Sequence, residues 1–181
     1  MRRLTSLLLP VIGLLYPFLV YFGMEHVETP VFALALGAVW LLRAPSLLKQ
    51  PGGHWMVGAA LAYCAILAFS GEAALLRWYP TLISLLLLLV FALSLHFGPP
   101  IVERIARARE PDLPDAAIPY TRKVTWVWVG FFIFNALTST VLTLWAPLRW
   151  WTLYNGLIVY LIMGVLFVGE WILRRRIRGT E

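Results

Sequence analysis

Apolar runs separated by short charged or glycine- and proline-containing breaks account for most of the chain. The run 82–95, interrupted only by two serines, leaves no polar face for water. A helix crossing about 30 Å of hydrocarbon at about 1.5 Å per residue needs roughly 20 such residues. Runs at 4–23, 79–98, 123–146 and 151–173 meet that length. Two shorter ones, 30–43 and 54–71, flank a turn carrying Arg43 and Lys49, charges that favour water or headgroups over a stop midway. Thr29 is expected to cap the first of this pair, with Pro30 at its first helical position. The pattern predicts an all-α integral membrane protein, a bundle of about six transmembrane helices in one domain, with a loop at 99–122 and a basic tail at 174–181.

The first run begins like a signal peptide, with Arg2 and Arg3 ahead of it. It is longer than a usual hydrophobic region and no small-x-small cleavage site occurs near Val20–Met24, so it reads as a retained helix.

Charge orients these helices. With both termini cytoplasmic, every one of the 15 Lys and Arg residues except Arg77 and Arg149 falls on the inner side, and the first outer loop carries Glu25 and Glu28 instead. The inverted arrangement reverses the bias. Tryptophan agrees: Trp40, Trp55, Trp126, Trp128 and Trp171 lie near predicted inner boundaries, and Trp78, Trp145, Trp150 and Trp151 near outer ones.

Composition supports the same class, with 61% hydrophobic and 13% charged residues, against roughly a quarter charged in soluble domains. The net charge of +6 comes from clusters between apolar runs rather than a stripe, which argues against nucleic acid. Cys64 is the single cysteine, so neither an internal disulfide nor a cysteine metal site is available. His26 and His54 belong to opposite boundaries, which excludes a three-histidine centre. No internal repeat is evident.

Candidate chemistry is sparse. Residues 100–109 place Ile101, Val102, Ile105 and Ala108 on one helical side and Arg104 and Arg107 on another. They form either a helix lying on the membrane surface or an extension of the fourth helix. Glu110, Asp112 and Asp115 could bind Mg²⁺ with a phosphate, or simply form a solvated turn.

Polar residues at membrane depth are functional candidates: Asn135, Thr138, Asn155, Glu170 and His96. Each also has a simpler reading, as interhelical hydrogen-bond ties for the amides and threonine, an i, i+4 pair with Arg174 for Glu170, and an interfacial place for His96. Arg104, Arg107, Arg122, Lys123, Arg174, Arg175 and Arg176 are candidate contacts for anionic lipid headgroups. Ala33 with Gly37, and Gly58 with Ala62, are small-xxx-small pairs that permit close helix packing. Phosphate-loop, nucleophile-elbow, zinc and dinucleotide motifs are absent, so neither an enzyme nor a bound cofactor or metal is expected.

The segments 122–132, Arg-Lys-Val-Thr-Trp-Val-Trp-Val-Gly-Phe-Phe, and 150–156, Trp-Trp-Thr-Leu-Tyr-Asn-Gly, carry a resemblance. So do Pro100 with Arg104, and Glu110 followed by Leu113-Pro114. On these the chain resembles uncharacterised small inner-membrane proteins of Gram-negative bacteria associated with aryl-polyene and fatty-acid-type gene clusters, and more distantly the intracellular septation protein A family. It departs from the latter at Asn135 and around Asn155. The resemblance implies cell-envelope work without a defined reaction, and a location in the bacterial inner membrane.

Three readings follow. One is a non-enzymatic protein supporting envelope biogenesis through a membrane-protein partner or as a homodimer. Another is a small transporter or flippase subunit for a lipid-like or polyene product. The third is a membrane enzyme acting on acyl or lipid substrates, for which Glu170 and His96 would be the nearest reactive groups.

Overall fold

A computed structural model of the protein describes residues 15–49, 52–110 and 117–178. Among these residues there is no strand. The helices are α1 (residues 15–23 of the described chain), α2 (Thr29–Leu47), α3 (Gly53–Ser70), α4 (Ala73–Leu76), α5 (Tyr79–His96), α6 (Ile101–Arg109), α7 (Ala117–Trp145), α8 (Leu148–Leu153) and α9 (Val159–Arg178). A five-residue π-turn, Tyr154–Ile158, joins the last two. Residues 4–14 of the expected first helix, and Asp112 and Asp115 of the acidic turn, lie outside the described residues.

Among the described residues five helical segments are long and apolar enough to cross a membrane: α2, α3, α5, α7 and the continuous stretch Leu148–Arg175. The chain is an all-α, multi-pass membrane protein. Two compact units make it up. One comprises the chain up to Tyr79 with Val141–Ile158, the other Pro80–Thr140 with the chain from Val159.

In the first unit, α2 packs against α3. Ala33, Leu36 and Trp40 are buried on α2, and Val57, Ala60, Cys64 and Leu67 on α3. Their three- and four-residue spacing is the seam expected of paired helices. Gly37 belongs to this face, since a Cβ there would lie 3.9 Å from that of Cys64, an ordinary contact. The second small pair does not: Gly58 and Ala62 are exposed, and nothing lies within 4 Å of a Cβ built on Gly58.

Helix α2 runs further than its hydropathy predicts, continuing through Arg43 and over Pro45. At 19 residues it spans about 28 Å. Its N-cap is Glu28 rather than Thr29, which is helical and buried. Gly52 and Gly71, with φ of +79° and +66°, bound α3 in the left-handed region that side chains resist.

At Gly156 the chain approaches α1 closely, because an added Cβ would sit 2.7 Å from the Phe18 ring. Gly156→Ala is therefore expected to lower thermal stability by about 1–3 kcal/mol through overpacking, with Phe18→Leu restoring most of the loss. A neutral Gly156→Ala would mean the ring yields freely.

The core of the second unit joins α5, α7 and α9. Phe131, Phe132 and Val159 are buried, with Leu87, Phe91, Trp128, Met163 and Leu166 among the residues packed against them. Phe91 and Phe132 meet edge-on at 5.1 Å, and Trp128 lies 4.9 Å from Phe167, both within the range of favourable aromatic pairs.

The expected loop at 99–122 contains more helix than its charge suggests. Helix α6 is a separate element rather than an extension of α5. Gly98, with φ of +97°, turns the chain, and Ser94 Oγ accepts the Ile101 amide at 3.0 Å, serving as the cap α6 lacks from Pro100. Helix α7 begins at Ala117, six residues ahead of the expected start.

Candidate functional site

The polar residues read as intramembrane candidates are drawn into packing. Asn135, buried on α7, donates through Nδ2 to Ser84 Oγ at 2.7 Å, and Ser84 donates to the Pro80 carbonyl at 2.8 Å. This chain ties α7 to the first turn of α5. Such ties measure about 0.6 kcal/mol on average in membranes, and up to about 1.7. A double-mutant cycle of Asn135→Ala and Ser84→Ala should return a coupling of about 1 kcal/mol, and additive effects would remove the tie. Thr138 is partly buried one turn further along.

Asn155 is buried inside the π-turn and donates through Nδ2 to the Trp151 carbonyl at 2.9 Å. An i→i+5 turn withdraws backbone amides from their usual acceptors, and the amide side chain serves one of those acceptors.

Glu170 on α9 accepts both Nε and NH2 of Arg174, at 2.9 and 2.7 Å, and the Tyr120 hydroxyl approaches its carboxylate at 3.4 Å. It is held as the i, i+4 partner of an arginine. His96 is exposed at the last residue of α5.

The basic residues divide by partner. Arg107 pairs with Glu103 at 2.8 Å, and Arg174 with Glu170. Arg175 stacks 3.8 Å from the Trp171 ring centroid. Arg104 donates to the Pro99 and Phe97 carbonyls at 2.7 and 3.1 Å, and Arg122 to the Leu95 carbonyl at 3.1 Å. Lys123 is exposed, and the Arg176 side chain lies outside the described residues. Among the described residues no group of three His, Cys, Asp or Glu side chains could hold a metal ion.

The most connected polar centre was not foreseen. It surrounds Arg77, in the break between α4 and α5. One guanidinium nitrogen donates to the Leu142 and Ala146 carbonyls, at 2.8 and 2.7 Å, at the C-terminal end of α7. A helix end leaves such carbonyls unpaired and carries partial negative charge, so a cation there is doubly favourable.

The backbone of the break is satisfied in turn. The Leu76 carbonyl accepts Tyr16 OH at 2.8 Å, and the Leu75 carbonyl accepts Tyr63 OH. The Arg77 carbonyl accepts Thr143 Oγ1 and Trp151 Nε1, each at 3.0 Å. Backbone in a break between helices needs such donors wherever water is excluded. Desolvation lowers the Arg77 pKa from its ordinary value, yet a guanidinium stays charged in proteins.

Trp151 is fully buried, and Trp40 is buried too. Trp55, Trp126, Trp145, Trp150 and Trp171 are exposed, as interfacial anchors would be. The sequence showed Arg77 only as an exception to the charge bias, and its partners lie 65 to 74 positions away.

No protein-family model, no curated protein and no solved structure matches this chain.

Proposed function

We propose that this protein is a non-enzymatic inner-membrane protein that supports cell-envelope biogenesis by binding membrane-protein partners, with both termini cytoplasmic. One observation carries the reading: three of the polar side chains read as intramembrane candidates serve as ties within the fold. Asn135 is spent on Ser84, Asn155 on the Trp151 carbonyl, and Glu170 on Arg174. A transport path or a reaction centre calls for polar groups turned toward a ligand, whereas a scaffold uses them to fix helix packing. The resemblance to small inner-membrane proteins beside aryl-polyene and fatty-acid-type gene clusters points to the same setting.

Affinity purification of the tagged full chain in mild detergent, with mass spectrometry of what co-purifies, tests this. A stoichiometric membrane protein of envelope biosynthesis supports it; a retained lipid or polyene product without any protein overturns it.

The π-turn at Tyr154–Ile158 favours a second reading, a small transporter or flippase subunit, because such turns recur at functional sites. Loss of phenotype from Asn135→Ala or Asn155→Ala at undiminished protein level would support transport. Retained phenotype would count against it.

A further inference from the structure

Two arginines hold the carbonyls at the end of α5. Arg107 and Arg174 are neutralised by Glu103 and Glu170. Arg104 and Arg122 have no carboxylate partner among the described residues; both bond backbone carbonyls. Their acceptors, Leu95, Phe97 and Pro99, fall within five consecutive residues, so the two guanidiniums are gathered over one helix end.

A guanidinium has five N–H donors. Arg104 spends Nε and one NH2 on the turn, and Arg122 spends one NH2. Among the described residues nothing else takes the rest of each fork, while the carbonyls hold its position. Gly98 adds to this placement, since even a Cβ there would lie 3.4 Å from the Arg104 NH2.

The surroundings are apolar and outward-facing. One helical turn beyond Arg122, Trp126 is 54% exposed on the same face of α7, and Phe97 and Ile105 are 73% and 52% exposed. Below Trp126 the exposed apolar positions Ile133 and Leu137 continue the same face two and three turns on, along a segment long enough to cross a membrane. Leu85, Leu89 and Leu93 form a comparable stripe on α5. Fixed cations above an aromatic belt, with bare hydrocarbon beneath, complement an amphiphile with an anionic head.

We propose that the α5–α7 end of this unit is a binding site for one anionic phospholipid. Arg104 and Arg122 hold its phosphate, Lys123 adds charge, and the acyl chains lie on the α5 and α7 stripes. The inference rests on the chain being a membrane protein and is independent of whether a protein partner exists.

The test is native mass spectrometry of the delipidated full chain in detergent, titrated with dioleoyl phosphatidylglycerol or dioleoyl phosphatidylcholine. One phosphatidylglycerol adduct should form at least fivefold more tightly than the phosphatidylcholine adduct. R104Q/R122Q should abolish this preference, whereas R174Q/R175Q keeps it. Both guanidiniums also brace a turn, so melting temperature is measured in parallel. If the double variant is unstable, Lys123→Gln, which ties down no backbone, should lower the preference about threefold.

Equal binding of both lipids, or an undiminished preference in R104Q/R122Q and Lys123→Gln, overturns the proposal. Inorganic phosphate binding as tightly as phosphatidylglycerol would assign the site to a soluble anion and overturn it too.

Discussion

Arg77→Leu is expected to lower the stability of the detergent-solubilised protein by about 3 kcal/mol, the sum of two charge-assisted hydrogen bonds discounted for partial exposure. At this chain length that is a fall of roughly 6–10 °C in melting temperature. The substitution leaves the Leu142 and Ala146 carbonyls without their donor at the end of α7. Arg77→Lys should recover part of the loss, because an ammonium restores the charge at the helix end without the planar fork. A melting temperature unchanged by Arg77→Leu would show that water can replace the guanidinium, and the centre would then be an incidental contact.

The second large effect lies at Trp151, fully buried beside the same break. Truncation to alanine removes a whole indole and its hydrogen bonds to the Arg77 carbonyl and Thr143 Oγ1. In water-soluble cores such a change costs about 3–5 kcal/mol. In a bilayer the apolar transfer part shrinks because lipid is as apolar as the core, so about 3 kcal/mol is expected here. Trp151→Phe keeps most of the packing and should cost about 1 kcal/mol. Equal losses for phenylalanine and alanine would shift the weight from packing to the N–H bond. Combining Arg77→Leu with Trp151→Phe should give less than the additive loss, since both act on one break.

The membrane class and most helix positions were legible because hydropathy reports them directly. The expected run 54–71 lies within a residue of α3, and Tyr79 and His96 closely match the expected bounds of α5. Errors came where charge was taken for a helix boundary. Arg43 did not end α2, nor did Arg122 and Lys123 begin α7, because a helix tolerates charge once it leaves the apolar layer. Periodicity also cannot say which of two small-residue pairs faces a neighbour, so Gly58 and Ala62 gave the same signal as Ala33 and Gly37.

Asn135 and Asn155, picked as polar positions at membrane depth, are buried in the fold, and their partners were not readable. Ser84 is 51 positions from Asn135. Arg77 was harder still: its acceptors are carbonyls, which leave no mark on residue identity, and Trp151 read as one more tryptophan near a helix end.

The π-turn gives the last stretch of the chain a discontinuity in phase. Within Tyr154–Ile158 the segment holds, in effect, one residue more than a continuous α-helix needs. Any helical wheel, cross-linking map or chimera that indexes 148–178 with a single period will misplace everything on one side of that turn by about 100°.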